Sequence, residues 1–288
     1  MRTTIAIFST LFLLILGNAC TGNDPSLNAT RLRINLTDAP LETRADSIVI
    51  SEFNVDIQKI EISTTDTLGQ NEAWSTLDYN GGVYNILPLT NGKLRQISDQ
   101  YFPSGILRRM KIHFGNSSTI TVNGNNKNLL LDPQFENGVT YEVNANLYAN
   151  YISSIVVDIN AALSFYERNG NYFFKPDVRV FAETYGGSLK GYVLPKEAAS
   201  TVVIANEKDT LFTLPESKDG MFKFLGLDVG VWDIYIFPAS GSGYRDSIFS
   251  DTIFSGKTTE LQSKITLKKI DEPGGGEGNG GNGSEVEP

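Results

Sequence analysis

The sequence predicts an all-β chain of two consecutive β-sandwich domains, on three observations. Turn dipeptides recur along it, at Asn80-Gly81-Gly82, Asn91-Gly92, Asn123-Gly124, Asn169-Gly170, Gly186-Gly187 and Asp219-Gly220. Both residues of Asn-Gly tolerate positive φ, which suits tight hairpins joining right-twisted strands. The runs between the turns alternate apolar and polar residues, the spacing of a half-buried strand. Beyond the first twenty residues, no stretch keeps helical spacing for more than about two turns.

The first element is a secretory signal over residues 1–19. Arg2 supplies the basic start, Ile5 to Leu16 an apolar run, and Gly17-Asn18-Ala19 a small-residue cleavage region. As a helix the run reaches about 18 Å, short of a bilayer core of about 30 Å. Cys20 follows directly and is the single cysteine, so no internal disulfide is available to it. The segment resembles a lipoprotein signal of the relaxed kind found in Bacteroidota, with Gly17 where Leu is usual and Leu16 one residue back. The resemblance implies that Cys20 is acylated and becomes the N-terminus. Two or three acyl chains there would hold a membrane stably, since a single chain is marginal. Residues 20–29 then read as a tether. A lipid-anchored place in the cell envelope, at the outer membrane, is expected, with the facing side left open.

Strands follow in order. Arg31 to Leu36 puts Leu32, Ile34 and Leu36 on one face. From Val55 to Ile62 the alternation slips, with Val55 and Ile57 in one phase and Ile60 and Ile62 in the other. A β-bulge near Gln58-Lys59 would produce that slip. Met110 to Phe114 and Ile155 to Ile159 read as further strands, and Phe173 to Phe181 closes the first strand-rich unit. The boundary falls at Thr184-Tyr185-Gly186-Gly187, and a new strand starts at Ser188. From Asp219, Phe222 and Phe224 point one way, and after Gly230 Trp232, Ile234 and Ile236 share an inward face. Residues 271–288 are rich in Gly and Glu with almost no apolar content, so they are expected to stay disordered.

Residues 30–184 resemble the domain-of-unknown-function 4382 family of exported lipoproteins. The carrying segments are Leu36-Thr37-Asp38-Ala39-Pro40, Val55 to Ile62, Trp74-Ser75-Thr76-Leu77, Tyr84 to Leu89 with Asn91-Gly92, Pro103-Ser104-Gly105, Asp158-Ile159-Asn160 and Tyr172 to Pro176. Asn160 stands where that family usually has a second aspartate. Residues 187–270 resemble the carboxypeptidase regulatory-like domain through Gly191-Tyr192-Val193, Asp219 to Leu227, Val229 to Ile234 and Gly243-Tyr244. These resemblances imply sandwiches of immunoglobulin or prealbumin type, seven-stranded in the second unit. They imply no established activity, and some folds related to the second bind glycans.

Chemistry is sparse. Cleaving the signal removes Arg2 and leaves 23 basic against 33 acidic side chains, a net of −10. Nucleic acid is therefore not an expected partner, since phosphate binding needs clustered Lys and Arg. His113, the one histidine, lies between Ile112 and Phe114 on the face shared with Lys111, expected toward solvent and not in a triad. No zinc-type ligand set, phosphate loop or dinucleotide fingerprint is present. No catalytic residue, cofactor or metal is therefore assigned. Asp158 and Asn160 on one strand face admit a calcium ion, but are read as groups satisfying loop amides. Asp38 before Pro40 is read as a cap on local backbone. Trp232 is expected in the core and Trp74 partly exposed. Tyr148 and Tyr151, near Asn146 and Asn150, form a polar-aromatic cluster able to line a surface. The expected function is a non-catalytic, membrane-anchored binding or adhesion module, for a glycan or an envelope protein. A structural or pilus-like assembly role comes second and a glycan-active enzyme last.

Overall fold

The computed structural model describes residues 28–39 and 49–270. Residues 1–27, 40–48 and 271–288, and with them the expected signal, Cys20 and the segment expected to be disordered, lie outside them. Thirteen strands make the first unit: β1 (Ala29–Ala39), β2 (Ile50–Thr65), β3 (Ala73–Thr76), β4 (Gly82–Asn85), β5 (Arg95–Pro103), β6 (Gly105–Phe114), β7 (Thr119–Val122), β8 (Asn125–Leu131), β9 (Val139–Leu147), β10 (Ile152–Asn160), β11 (Phe165–Arg168), β12 (Asn171–Phe174) and β13 (Val178–Ala182). The second unit has β14 (Gly187–Leu194), β15 (Thr201–Ala205), β16 (Thr210–Thr213), β17 (Met221–Leu227), β18 (Gly230–Phe237), β19 (Ser247–Ile253), β20 (Thr258–Glu260) and β21 (Ile265–Thr266). Among the described residues helical turns are limited to short 3-10 segments such as Pro133–Phe135 and Lys196–Ala198. The chain is all-β, as its alternation predicts.

In the first unit a four-stranded sheet, ordered β13-β10-β1-β5, faces a nine-stranded one built around β2. Leu32, Ile34 and Leu36 of β1 are fully buried between them. The long strand β2 shifts register against β6 between Ile57 and Lys59, the position where the alternation slips. The extra residue returns Ile60 and Ile62 to the core beside Val55 and Ile57, and all four are fully buried. Asn123-Gly124 and Asn169-Gly170, with φ of 49° and 76° and of 54° and 77°, turn the hairpins β7–β8 and β11–β12.

A separate core lies in the second unit, around Trp232, Phe222, Ile234, Ile236 and Leu189. It has two sheets, β17-β14-β20 with β21, and β16-β15-β18-β19. Eight strands stand where seven are expected, because β20 and β21 run one after the other along β14. The Trp232 indole N–H donates to the Asp228 carbonyl at 2.9 Å, so its polar atom is satisfied inside the core.

β10 departs from simple alternation. Ile155, Val156, Val157, Asp158 and Ile159 are all buried. Odd-numbered residues face the first core, while Val156 and Asp158 face the second unit. Burial on both faces is what an unbroken apolar run such as Ile155-Val156-Val157 encodes.

Candidate functional site

The outer face of the β13-β10-β1-β5 sheet is laid out in rows by strand register. Thr37, Asp158 and Arg179 form one row, and Gln96, Asn35, Val156 and Phe181 the next. Beyond these come Asp99, Arg33 and Ser154, then Tyr101, Arg31 and Ile152. The second unit covers the first row with Val156 and Phe181 of the second, and leaves Gln96 and the other two rows open.

Its attachment is specific. Asn91, in the loop before β5, is buried and left-handed (φ 56°), with Gly92 following at 75°. Its Nδ2 donates to the Leu214 carbonyl at 3.0 Å, while its Oδ1 accepts from Thr213 Oγ1 at 3.0 Å and the Lys223 N–H at 3.2 Å. All of these partners belong to the second unit, so one side chain pairs three otherwise buried polar groups across the junction. Lys93 pairs with Glu216 at 2.8 Å, and Arg179 donates to the Leu225 carbonyl at 3.4 Å. Phe181 lies against Gly226, where an added Cβ would come within 2.5 Å of its ring. Gly226 is left-handed as well (φ 61°), so the close approach and the backbone both require glycine there.

Beside this junction a cleft of about 500 Å³ opens between the units. Its floor is Arg33, Asn35, Gln96 and Ser154, and its far wall carries Tyr185, Lys223 and Lys257. Asn35 Nδ2 donates to Ser154 Oγ at 2.7 Å. Tyr185 donates to Asp228 Oδ1 at 2.5 Å, which fixes its ring, and that bond raises its pKa. On the open rows, Arg31 Nε donates to Asp99 Oδ1 at 2.6 Å and Arg33 Nε to Asp99 Oδ2 at 3.1 Å. The Arg31 hydrogen bond holds the Asp99 carboxyl below its ordinary range. At the sheet's end Tyr101, Tyr148, Tyr151 and Ile152 are 75%, 62%, 69% and 55% exposed, far above what packing would leave. Tyr148 and Tyr151 meet edge to face with centroids 6.3 Å apart, and Asn146 donates to the Tyr148 hydroxyl at 3.2 Å. The polar-aromatic cluster read from the sequence thus lies at the β9–β10 end of the first unit, and of these exposed residues only Ile152 lines the cleft.

The remaining candidates fall elsewhere. His113 is partly exposed between buried Ile112 and Phe114, and its Nε2 meets Glu61 Oε2 at 2.6 Å. Its partner is a carboxylate and not a hydroxyl nucleophile, and the bond lowers the Glu61 pKa. Asp158 and Asn160 do not converge on one point: Asp158 Oδ2 accepts from Arg179 Nη2 at 2.5 Å, and Asn160 Oδ1 accepts from the Leu163 N–H at 3.3 Å. Asp38 Oδ1 accepts from the Ala161 N–H at 3.1 Å, so the described partner is remote in sequence and not the local backbone expected. Burial pushes the Asp38 pKa well above the ordinary range, the Ala161 bond opposes this, and the Asp158 charge adds to it. Trp74 is 45% exposed beneath the Arg109 guanidinium, 5.4 Å from the ring centroid. Sequence reading assigned no binding role to Arg33, Asn91, Tyr185, Lys223 or Lys257, because strands far apart in the chain bring them to the cleft and its junction.

Among solved structures, the TIE protein of Bacillus anthracis is 14% identical at a TM-score of 0.25, covering 90% of this chain and 44% of its own. The shaft pilin SpaA of Lactobacillus rhamnosus GG is 10% identical at 0.25, covering 85% of this chain and 99% of its own. The palmitoyltransferase PFA3 of Candida albicans is 31% identical over 86 residues, or 27% of this chain, which spans 23% of that protein's length. The profile described as Domain of unknown function (DUF4382) matches residues 29–176, just over half of the sequence and nearly the whole first sandwich. With β1 through β12 and the buried Asp38 all inside that match, the chain belongs to the DUF4382 family.

Proposed function

We propose that the protein is a non-catalytic, lipid-anchored binding module of the cell envelope that holds a glycan in the cleft between its two sandwiches. The observation that carries this is the cleft beside the junction, where Tyr185, its hydroxyl held by Asp228, lines the same cavity as amide, hydroxyl and guanidinium groups of the β13-β10-β1-β5 face. Sugars present apolar C–H faces and a dense set of hydroxyls, and need both kinds of partner within a few ångströms. The cleft volume falls in the range of small-ligand sites, roughly 300–1,000 Å³. The second unit, read as a carboxypeptidase regulatory-like domain, supplies the far wall. Anchoring rests on the signal and Cys20, with the outer membrane as the expected location.

A glycan array probed with the full-length protein tests the binding reading. Binding is expected, with at least tenfold weaker affinity after Tyr185→Ala; an array with no binding contradicts it. Anchoring is tested separately: Cys20→Ala should leave the membrane fraction, and the native chain should incorporate labelled palmitate. Membrane retention by the variant, without label on the native chain, contradicts the anchor.

A second reading, a structural envelope component, is favoured by one feature. Phe212, Val203, Tyr235 and Ile248 align across the outer face of β16-β15-β18-β19, and Phe237 lies parallel to Tyr235 with centroids 6.1 Å apart. Such an apolar ladder suits packing against another protein. Partner proteins co-purifying from membranes, with no glycan bound, would favour it.

A further inference from the structure

Resting on the glycan reading of the cleft, we propose that its ligand is an anionic saccharide, one carrying carboxylate or sulfate groups. The chain is acidic, with a formal net charge of −9. The cleft runs against that balance. Lys223 and Lys257 project from the far wall, and among the described residues neither lies within ion-pair distance of an acid. Across from them Arg33 shares the Asp99 carboxylate with Arg31, so two guanidiniums meet one carboxylate and one positive charge is left over. Among the described residues Glu183 is the single carboxylate lining the cleft. Walls of low dielectric strengthen such a local positive field relative to open water, and salt weakens it.

The arrangement also places neutral groups between the charges. The amide of Asn35 and the hydroxyl of Ser154, bonded to each other, line the cleft together with Arg33 and the two lysines. A uronic or sulfated sugar would set its anionic group toward Lys223 and Lys257 and its ring hydroxyls on that floor. A neutral sugar could accept hydrogen bonds from the two ammonium groups but would bring no counter-charge to them. Lys257 is exposed after the left-handed Gly256, while the Lys223 stem is packed along Gly92 at the junction.

The test compares three probes of matched length on the full-length protein in detergent micelles: polygalacturonate oligosaccharides, sulfated dextran and unmodified dextran. Binding of a charged probe, at least tenfold tighter than dextran and weakened by added salt, is expected. The source of the anion is read from whether the carboxylated or the sulfated probe binds more tightly. Lys223→Ala with Lys257→Ala should lower that affinity tenfold or more at an unchanged Tm, and Lys257→Arg should retain it. Equal binding of dextran and the charged probes, insensitive to both lysines, overturns the anionic ligand while leaving the glycan cleft standing. No binding of any probe, in a protein that also fails on the glycan array, overturns both.

Discussion

Asp38 shows how one residue can set a pH dependence. It is almost fully buried, its Oδ2 has no hydrogen-bond partner among the described residues, and burial favours its neutral form. A carboxyl whose folded pKa lies above its unfolded value keeps more protons in the native state. Its contribution is therefore present at low pH and is lost as pH rises from the ordinary carboxylate range through the raised folded value. Asp38→Asn keeps an acceptor for the Ala161 N–H and cannot ionise. Melting curves between pH 4 and pH 8 should show the variant equal to the native protein at the acid end and a few degrees more stable at the basic end. Parallel curves would mean that Asp38 stays ionised in the fold. The Thr37-Asp38-Ala39-Pro40 motif is legible in the sequence, but the partner is not, because only the parallel pairing of β1 with β10 brings Ala161 to it.

At the scale of elements, the sequence revealed what is local. Strand faces, the bulge in β2 and two Asn-Gly hairpins depend on neighbouring residues, and the structure has them where the pattern puts them. Asn91-Gly92 is the instructive departure. Both residues are left-handed and the Lys93 N–H closes the turn on the Thr90 carbonyl at 3.2 Å, as the dipeptide predicts. The turn nevertheless joins no hairpin; it enters the second unit and pairs three of its polar groups. Asn91→Ala would leave the Thr213 hydroxyl, the Lys223 N–H and the Leu214 carbonyl without that partner. A cost of about 1–3 kcal/mol is expected. Urea denaturation in a Trp74→Phe background, followed by Trp232 fluorescence, should show the second unit unfolding earlier than without Asn91→Ala. An unchanged midpoint would mean that the junction does not contribute to its stability.

Across the whole molecule, residue composition alone excludes several chemistries, but it does not locate a cleft. The cleft exists because the second unit covers only part of the β13-β10-β1-β5 face, through Phe181 on Gly226 and the Asn91 contacts. The rows left bare, with Arg31, Arg33 and Tyr101, come from strands far apart in sequence, and their charges look like scattered surface residues until register aligns them. A ligand bound in this cleft slows backbone exchange most strongly in the segments that line it. Hydrogen–deuterium exchange of the full-length protein, with and without saturating polygalacturonate oligosaccharide, measures this. Slowed exchange confined to residues 31–35, 152–156, 183–188, 223–226 and 256–258 is the expected result. Slowed exchange on the outer face of the second unit, at 201–205, 233–237 and 247–250, with the cleft unchanged, would contradict it.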